Sequence, residues 1–129
     1  MTRAVIVSTA RTPIGRAYRG SLNNILSPTL MGHAIRHAVA RSSVEHEEID
    51  DVVIGTVLAA GSAGMNLARN ALLAAGLPVT VPGQTMDRQC ASGLMAVATA
   101  AKQIIVDGMR IVVAGGQENI TGLQKPYME

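Results

Sequence analysis

Gln84-Thr85-Met86-Asp87-Arg88-Gln89-Cys90-Ala91-Ser92-Gly93-Leu94 is the stretch on which the fold turns, and Met95-Ala96-Val97-Ala98-Thr99-Ala100-Ala101-Lys102-Gln103-Ile104-Ile105 continues it. Its opening Gln84-Thr85-Met86 is short and β-like, and everything after Ala91 has the small and apolar content of a buried helix. Between the two stands Cys90, the only cysteine of the chain. A thiol at the head of a helix meets unpaired backbone N–H groups and the positive end of the helix dipole, both of which favour the thiolate. Free cysteine is also a common apolar filler of protein cores. The polar run Asp87-Arg88-Gln89 before it, and Ser92-Gly93 after it, where backbone can come close to a substrate, bring the reactive reading level with the filler reading.

Outward from this stretch the same alternation repeats. Val52-Val53-Ile54, closed by Gly55, and Ile111-Val112-Val113-Ala114, followed by Gly115-Gly116, read as buried strands, as does the β-branched run Ala4-Val5-Ile6-Val7. Ser27 is placed to cap a helix with Pro28 at its first position, and Leu30, Met31, Ala34, Ile35, Ala38 and Val39 then form one apolar stripe. Asn66 is placed to cap a second helix that buries Leu67, Ala68, Ala71, Leu72 and Ala75 and stops at Gly76, with Pro78 beyond. Strands separated by helices predict an α/β fold: a mostly parallel sheet with helices on both faces. In such sheets function gathers at the carboxyl ends of the strands, where Cys90 lies.

The chain has 129 residues, enough for one domain; no repeat or linker divides it. There is no Trp or Phe and only two Tyr, so its core is aliphatic. A net charge of +2 from 11 basic and 9 acidic residues, with no basic stripe and almost no aromatics, argues against nucleic acid and membrane surfaces as partners. Arg11, Arg16 and Arg19 gather early and read as solvated loop charges. One cysteine allows no internal disulfide and suits a reducing, cytoplasmic setting. No uninterrupted apolar run reaches the roughly 18 residues of a membrane span, and Met1-Thr2-Arg3 enters the first predicted strand without a signal-peptide pattern.

Other motifs are weaker. His33 and His37 are four residues apart, but no glutamate follows the first, Arg36 sits between them and no third ligand is evident, so no metal is expected. Gly61-Ser62-Ala63-Gly64 and Gly115-Gly116 fit neither phosphate-loop pattern and read as turns. The helix after Cys90 is apolar or small nearly all round, more than one sheet face can cover, so a second surface is expected to pack on it.

Taken together, Ala10-Arg11-Thr12-Pro13-Ile14-Gly15, Asp50-Asp51-Val52-Val53-Ile54-Gly55, Asn66-Leu67-Ala68-Arg69, Ala75-Gly76-Leu77-Pro78, Asp87-Arg88-Gln89-Cys90-Ala91-Ser92-Gly93-Leu94 and Ala114-Gly115-Gly116-Gln117-Glu118 make the chain resemble the N-terminal part of a thiolase. The resemblance runs through all of residues 1–129 and ends about where the family's CoA-covering loop domain would begin, at Tyr127-Met128-Glu129. It implies an acyltransferase that makes or cleaves 3-ketoacyl-CoA, with coenzyme A as substrate or product and no permanently bound cofactor. By position Cys90 matches the acylated nucleophile, and Asn66, Gly93 and Glu118 match the framework around it. Asp87 stands where an asparagine is common and Met65 where a glutamine is frequent.

The family's other catalytic groups, a histidine in Gly-His-Pro and a second cysteine in Cys-x-Gly-Gly-Gly, lie in its C-terminal half. None of His33, His37 and His46 has that setting. The resemblance therefore implies half an active site, a C-terminal half as partner, and a homodimer or homotetramer for the complete enzyme. A non-catalytic assembly piece docking through its apolar helix is the alternative; a ketoacyl synthase relative shares the cysteine at a helix but lacks the Arg-Thr-Pro and Gly-Gly-Gln-Glu segments.

Overall fold

Residues 2–124 are described by a computed structural model of the chain. The Tyr127-Met128-Glu129 boundary lies outside them. Three parallel strands, β1 (Asp51–Gly55), β2 (Gly83–Met86) and β3 (Val112–Gly116), form one sheet in the order β2-β1-β3. Its register pairs Val53 with Gln84 on one side and with Ala114 on the other. The principal helices are α1 (Ser27–Ser42), α2 (Leu67–Ala75) and α3 (Ser92–Val106), and a short α4 (Ile120–Gln124) follows β3.

Strand periodicity places the helices on both faces, as the sequence predicts. Val52 and Ile54 belong to a core cluster with Met31, Ile35 and Val39 of α1 and Leu67, Ala71 and Leu72 of α2. The alternate residues of β1 serve α3 on the other face: Asp51 Oδ2 accepts a hydrogen bond from Gln103 Nε2 at 2.7 Å, and Gly55 lies against the backbone of Ser92. Helix α3 therefore runs antiparallel over β1, with its head above the carboxyl end of the strand. Ala96 and Ala100 are buried between these two anchor points. The outer face of α3 is bare, with Leu94 75% and Val106 77% exposed. The stretch Gln89–Val106 reaches a mean hydropathy of 1.2 over 18 residues, enough in length and composition to cross a membrane. In this fold its helix packs on β1 and β3.

Helix ends follow local chemistry. Asn66 caps α2, its side chain accepting from Arg69 N at 3.3 Å. Gly76 ends that helix with φ +88, a left-handed turn that suits glycine, and its N–H donates to the carbonyls of Leu72 and Leu73. The start of α1 differs from the expectation: Leu26 occupies the cap position, and Ser27 is the first helical residue, buried against Ser62.

The larger correction concerns Ala4–Val7, which forms no strand. Val5, Ile6 and Val7 are 71%, 75% and 72% exposed. A β-branched run becomes a strand only where a neighbouring edge accepts its backbone, and here the segment is tied instead to the end of α1. Ser8 Oγ donates to Ala38 O at 2.7 Å, and Arg41 donates to Thr9 O at 2.9 Å. An open cleft of about 1360 Å³ separates the segment from β3.

Entry into both β1 and β3 depends on Asp50, whose Oδ2 accepts from Arg110 N at 2.6 Å and from Ile111 N at 3.1 Å. These two backbone donors, first Arg110 and then Ile111, hold its carboxyl below the usual range, with the Arg110 charge helping less. A depressed folded-state pKa gives stability that is present above the unfolded value of about 3.9 and lost as pH falls through the folded value. Asp50→Asn should cost about 1 kcal/mol at neutral pH, a modest figure because solvent reaches the group. Urea unfolding of both proteins should show that gap closing in strong acid, below the ordinary carboxylate range.

Candidate active site

The tightest backbone packing in the fold surrounds the turn that carries Cys90. A Cβ added to Gly55 would lie 2.7 Å from Gly93 N and closer still to the carbonyl group of Ser92; one added to Gly116 would lie 2.9 Å from Gly93 Cα. Real Cβ atoms do not approach backbone that closely. Three glycines thus let the head of α3 rest directly on the ends of β1 and β3.

Cys90 lies two residues before α3 begins and is exposed. Ala91 N and Ser92 N donate to the carbonyls of Arg88 and Gln89, and Met95 N donates to Ala91 O. The amides of Gly93 and Leu94, the second and third residues of the helix, have no chain acceptor among the described residues. Free N–H groups at a helix head attract an anion, whether a thiolate or the oxyanion that forms when a thiolate attacks a carbonyl.

A hollow of about 530 Å³ opens here, lined by Cys90, Gly93, Leu58, Gly116, Glu118 and Ile120 among others. Part of its wall is organised by Glu118. The carboxylate accepts from Thr56 Oγ1, Val57 N and Leu58 N, each at 2.9 Å, and so fastens the loop after β1 to the loop after β3. Gln117 beside it is buried, with both amide atoms unpaired, and such a group costs about 1–3 kcal/mol.

The fold therefore brings Cys90, Gly93 and Glu118 to one hollow. Asn66 is placed elsewhere: its Nδ2 donates to Gly83 O at 2.8 Å and its Oδ1 accepts from Thr85 Oγ1 at 2.9 Å, which joins the head of α2 to β2. Gly115-Gly116, expected as a turn, are the last two residues of β3, and Gly55, Gly116 and Thr56 were given no part in the site, although glycine at the end of two neighbouring strands is a signal of close backbone approach. The His33 and His37 rings meet with centroids 4.5 Å apart and planes tilted by 56°, and no three His, Cys, Asp or Glu side chains gather into a metal-binding group among the described residues.

Comparison with known proteins agrees with this geometry. Residues 4–129 match the model of the thiolase N-terminal domain. Acetyl-CoA acetyltransferase of Cupriavidus necator is 48% identical over 121 residues, 94% of this chain and 30% of that protein. The 3-ketoacyl-CoA thiolase of Bacillus subtilis is 40% identical over 99% of this chain and 32% of its own length. The crystal structure of Bacillus anthracis acetyl-CoA acetyltransferase superposes with a TM-score of 0.88 at 40% identity, covering 95% of this chain and 30% of that one. The chain spans about a third of the length of these relatives, and it belongs to the thiolase family.

Proposed function

We propose that the chain supplies the nucleophilic half of an acyl-CoA:acetyl-CoA C-acyltransferase, acting in thiolysis of 3-ketoacyl-CoA or in the reverse condensation, as in fatty acid metabolism. The observation that carries this reading is the exposed Cys90 in a hollow that Gly93 and Glu118 also line, just before a helix whose Gly93 and Leu94 amides are unpaired. The Cys90 thiolate attacks the thioester carbonyl of an acyl-CoA. A carbon–sulfur bond forms to Cys90, the bond to coenzyme A sulfur breaks, and coenzyme A departs as a thiolate that takes up a proton. One thioester replaces another, so the exchange is close to balanced. The helix-head amides offer hydrogen bonds to the intermediate oxyanion, Gly93 provides close backbone access, and Glu118 fixes part of the wall. Asn66 contributes at a distance by fastening α2 to β2. Coenzyme A enters and leaves as substrate and product, and no resident cofactor or metal is part of this scheme.

The base that activates the thiol, and the acid–base group for the carbon–carbon step, come in this reading from the C-terminal portion of a thiolase, docked against the bare face of α3. Assembly into a homodimer or homotetramer and a cytoplasmic setting, where a lone thiol stays reduced, complete the proposal. The exposed Leu94, Val97, Ile105 and Val106 also favour a second reading, in which the chain only docks.

Thiolysis of acetoacetyl-CoA, followed as acetyl-CoA release, separates the readings. The chain alone should give negligible turnover, and mixing with the remaining two thirds of a thiolase should restore it, with an acetyl group on the Cys90 peptide in mass spectrometry. Vigorous thiolysis by the chain alone would overturn the shared site. A reconstituted complex with no acetyl on Cys90 would leave only docking.

A further inference from the structure

Cys90 follows a residue held in an unfavourable conformation. Gln89 has φ +52, a left-handed backbone that costs a non-glycine residue about 1–2 kcal/mol. What holds it there is Ser92, 4% exposed beneath the turn. Ser92 Oγ accepts from Arg88 N at 2.8 Å and donates to Gln89 O at 2.6 Å, so one hydroxyl ties the Asp87–Arg88 peptide group to the Gln89–Cys90 peptide group. Asp87 Oδ1 completes the clasp by accepting from Gln89 N at 2.7 Å.

We propose that Ser92 is a positioning residue for Cys90, its hydroxyl holding the left-handed Gln89 turn so that the thiol stays in the hollow that Gly93 also lines. This rests on the reading of Cys90 as the nucleophile. It separates two tasks at one point in the chain. The backbone of Ser92 seats α3 on Gly55, a contact that needs no hydroxyl, while the side chain serves only the turn. Without the hydroxyl, Arg88 N loses its acceptor and Gln89 O keeps only the Ser92 N–H, at 3.0 Å. Gln89 then relaxes toward extended backbone and carries Cys90 away from the helix head.

The test is alkylation of Cys90 by iodoacetamide at neutral pH, with circular dichroism to follow the fold. Ser92→Ala should keep its helical signal and react about tenfold more slowly at neutral pH. Ser92→Thr, which keeps the hydroxyl, should recover to within about twofold of the parent. Equal rates, a threonine variant as slow as alanine, or loss of the helical signal in Ser92→Ala would each overturn the proposal. Alkylation uses no acyl-CoA, so these outcomes are independent of whether Cys90 accepts an acetyl group.

Discussion

Cys90→Ser should abolish acetyl capture in the reconstituted complex, lowering the rate of labelling by about a thousandfold or more while leaving the fold intact. The exchange replaces one exposed atom by another of similar size, so unfolding by heat or urea should barely change. The chemistry changes greatly. Sulfur is intrinsically far more nucleophilic toward a thioester than a serine hydroxyl, which needs a base placed on its proton. Mass spectrometry of the peptide spanning Asp87–Leu94 after incubation with acetyl-CoA checks this. Undiminished labelling of Cys90→Ser would place the acyl acceptor on another residue.

Gly55→Ala should be the most damaging single methyl group that can be added to the site. The new carbon would meet the Ser92 carbonyl group and Gly93 N, both backbone, so no side chain can turn aside to admit it. Either β1 or the head of α3 must move, at a cost of about 3 kcal/mol or more and a loss of roughly 10 °C in Tm. Iodoacetamide should then find Cys90 displaced from the hollow. Gly61→Ala is the control, because Gly61 has φ +55 but nothing within 4 Å of an added Cβ. It pays only for the left-handed backbone, about 1 kcal/mol, and should leave Cys90 reactivity alone. A Gly55→Ala protein as stable as Gly61→Ala would contradict the close seating of α3.

These contrasts show what a sequence can and cannot convey. Val52-Val53-Ile54, the stripe of α1 and the Asn66 and Gly76 ends of α2 are written in neighbouring residues, and the structure places them as read. Cys90 at the head of a helix was legible for the same reason. Ala4–Val7 was misread because a strand is a relation between two segments, and β-branched content describes only one of them. Asn66 and Cys90 both stand at helix heads, but only the sheet order decides that Glu118 meets the Cys90 hollow while Asn66 faces β2. The glycines were visible as glycines; their partners across the fold were not. Gln103 offers one missed clue, since an amide in an otherwise apolar helix asks for a buried partner, and Asp51 is that partner.

The exposed Val5-Ile6-Val7 run bears on how the chain behaves in solution. It lies near a sheet whose two outer strands, β2 and β3, each pair on one side only among the described residues. An unpaired strand edge together with an extended β-branched segment on the same molecule is a template and a ligand for the next copy. Crowded molecules would then add strand to edge in an open series, as filaments do, unless these groups are covered early. Colloidal stability, more than folding, would set the concentration at which this thiol can be studied.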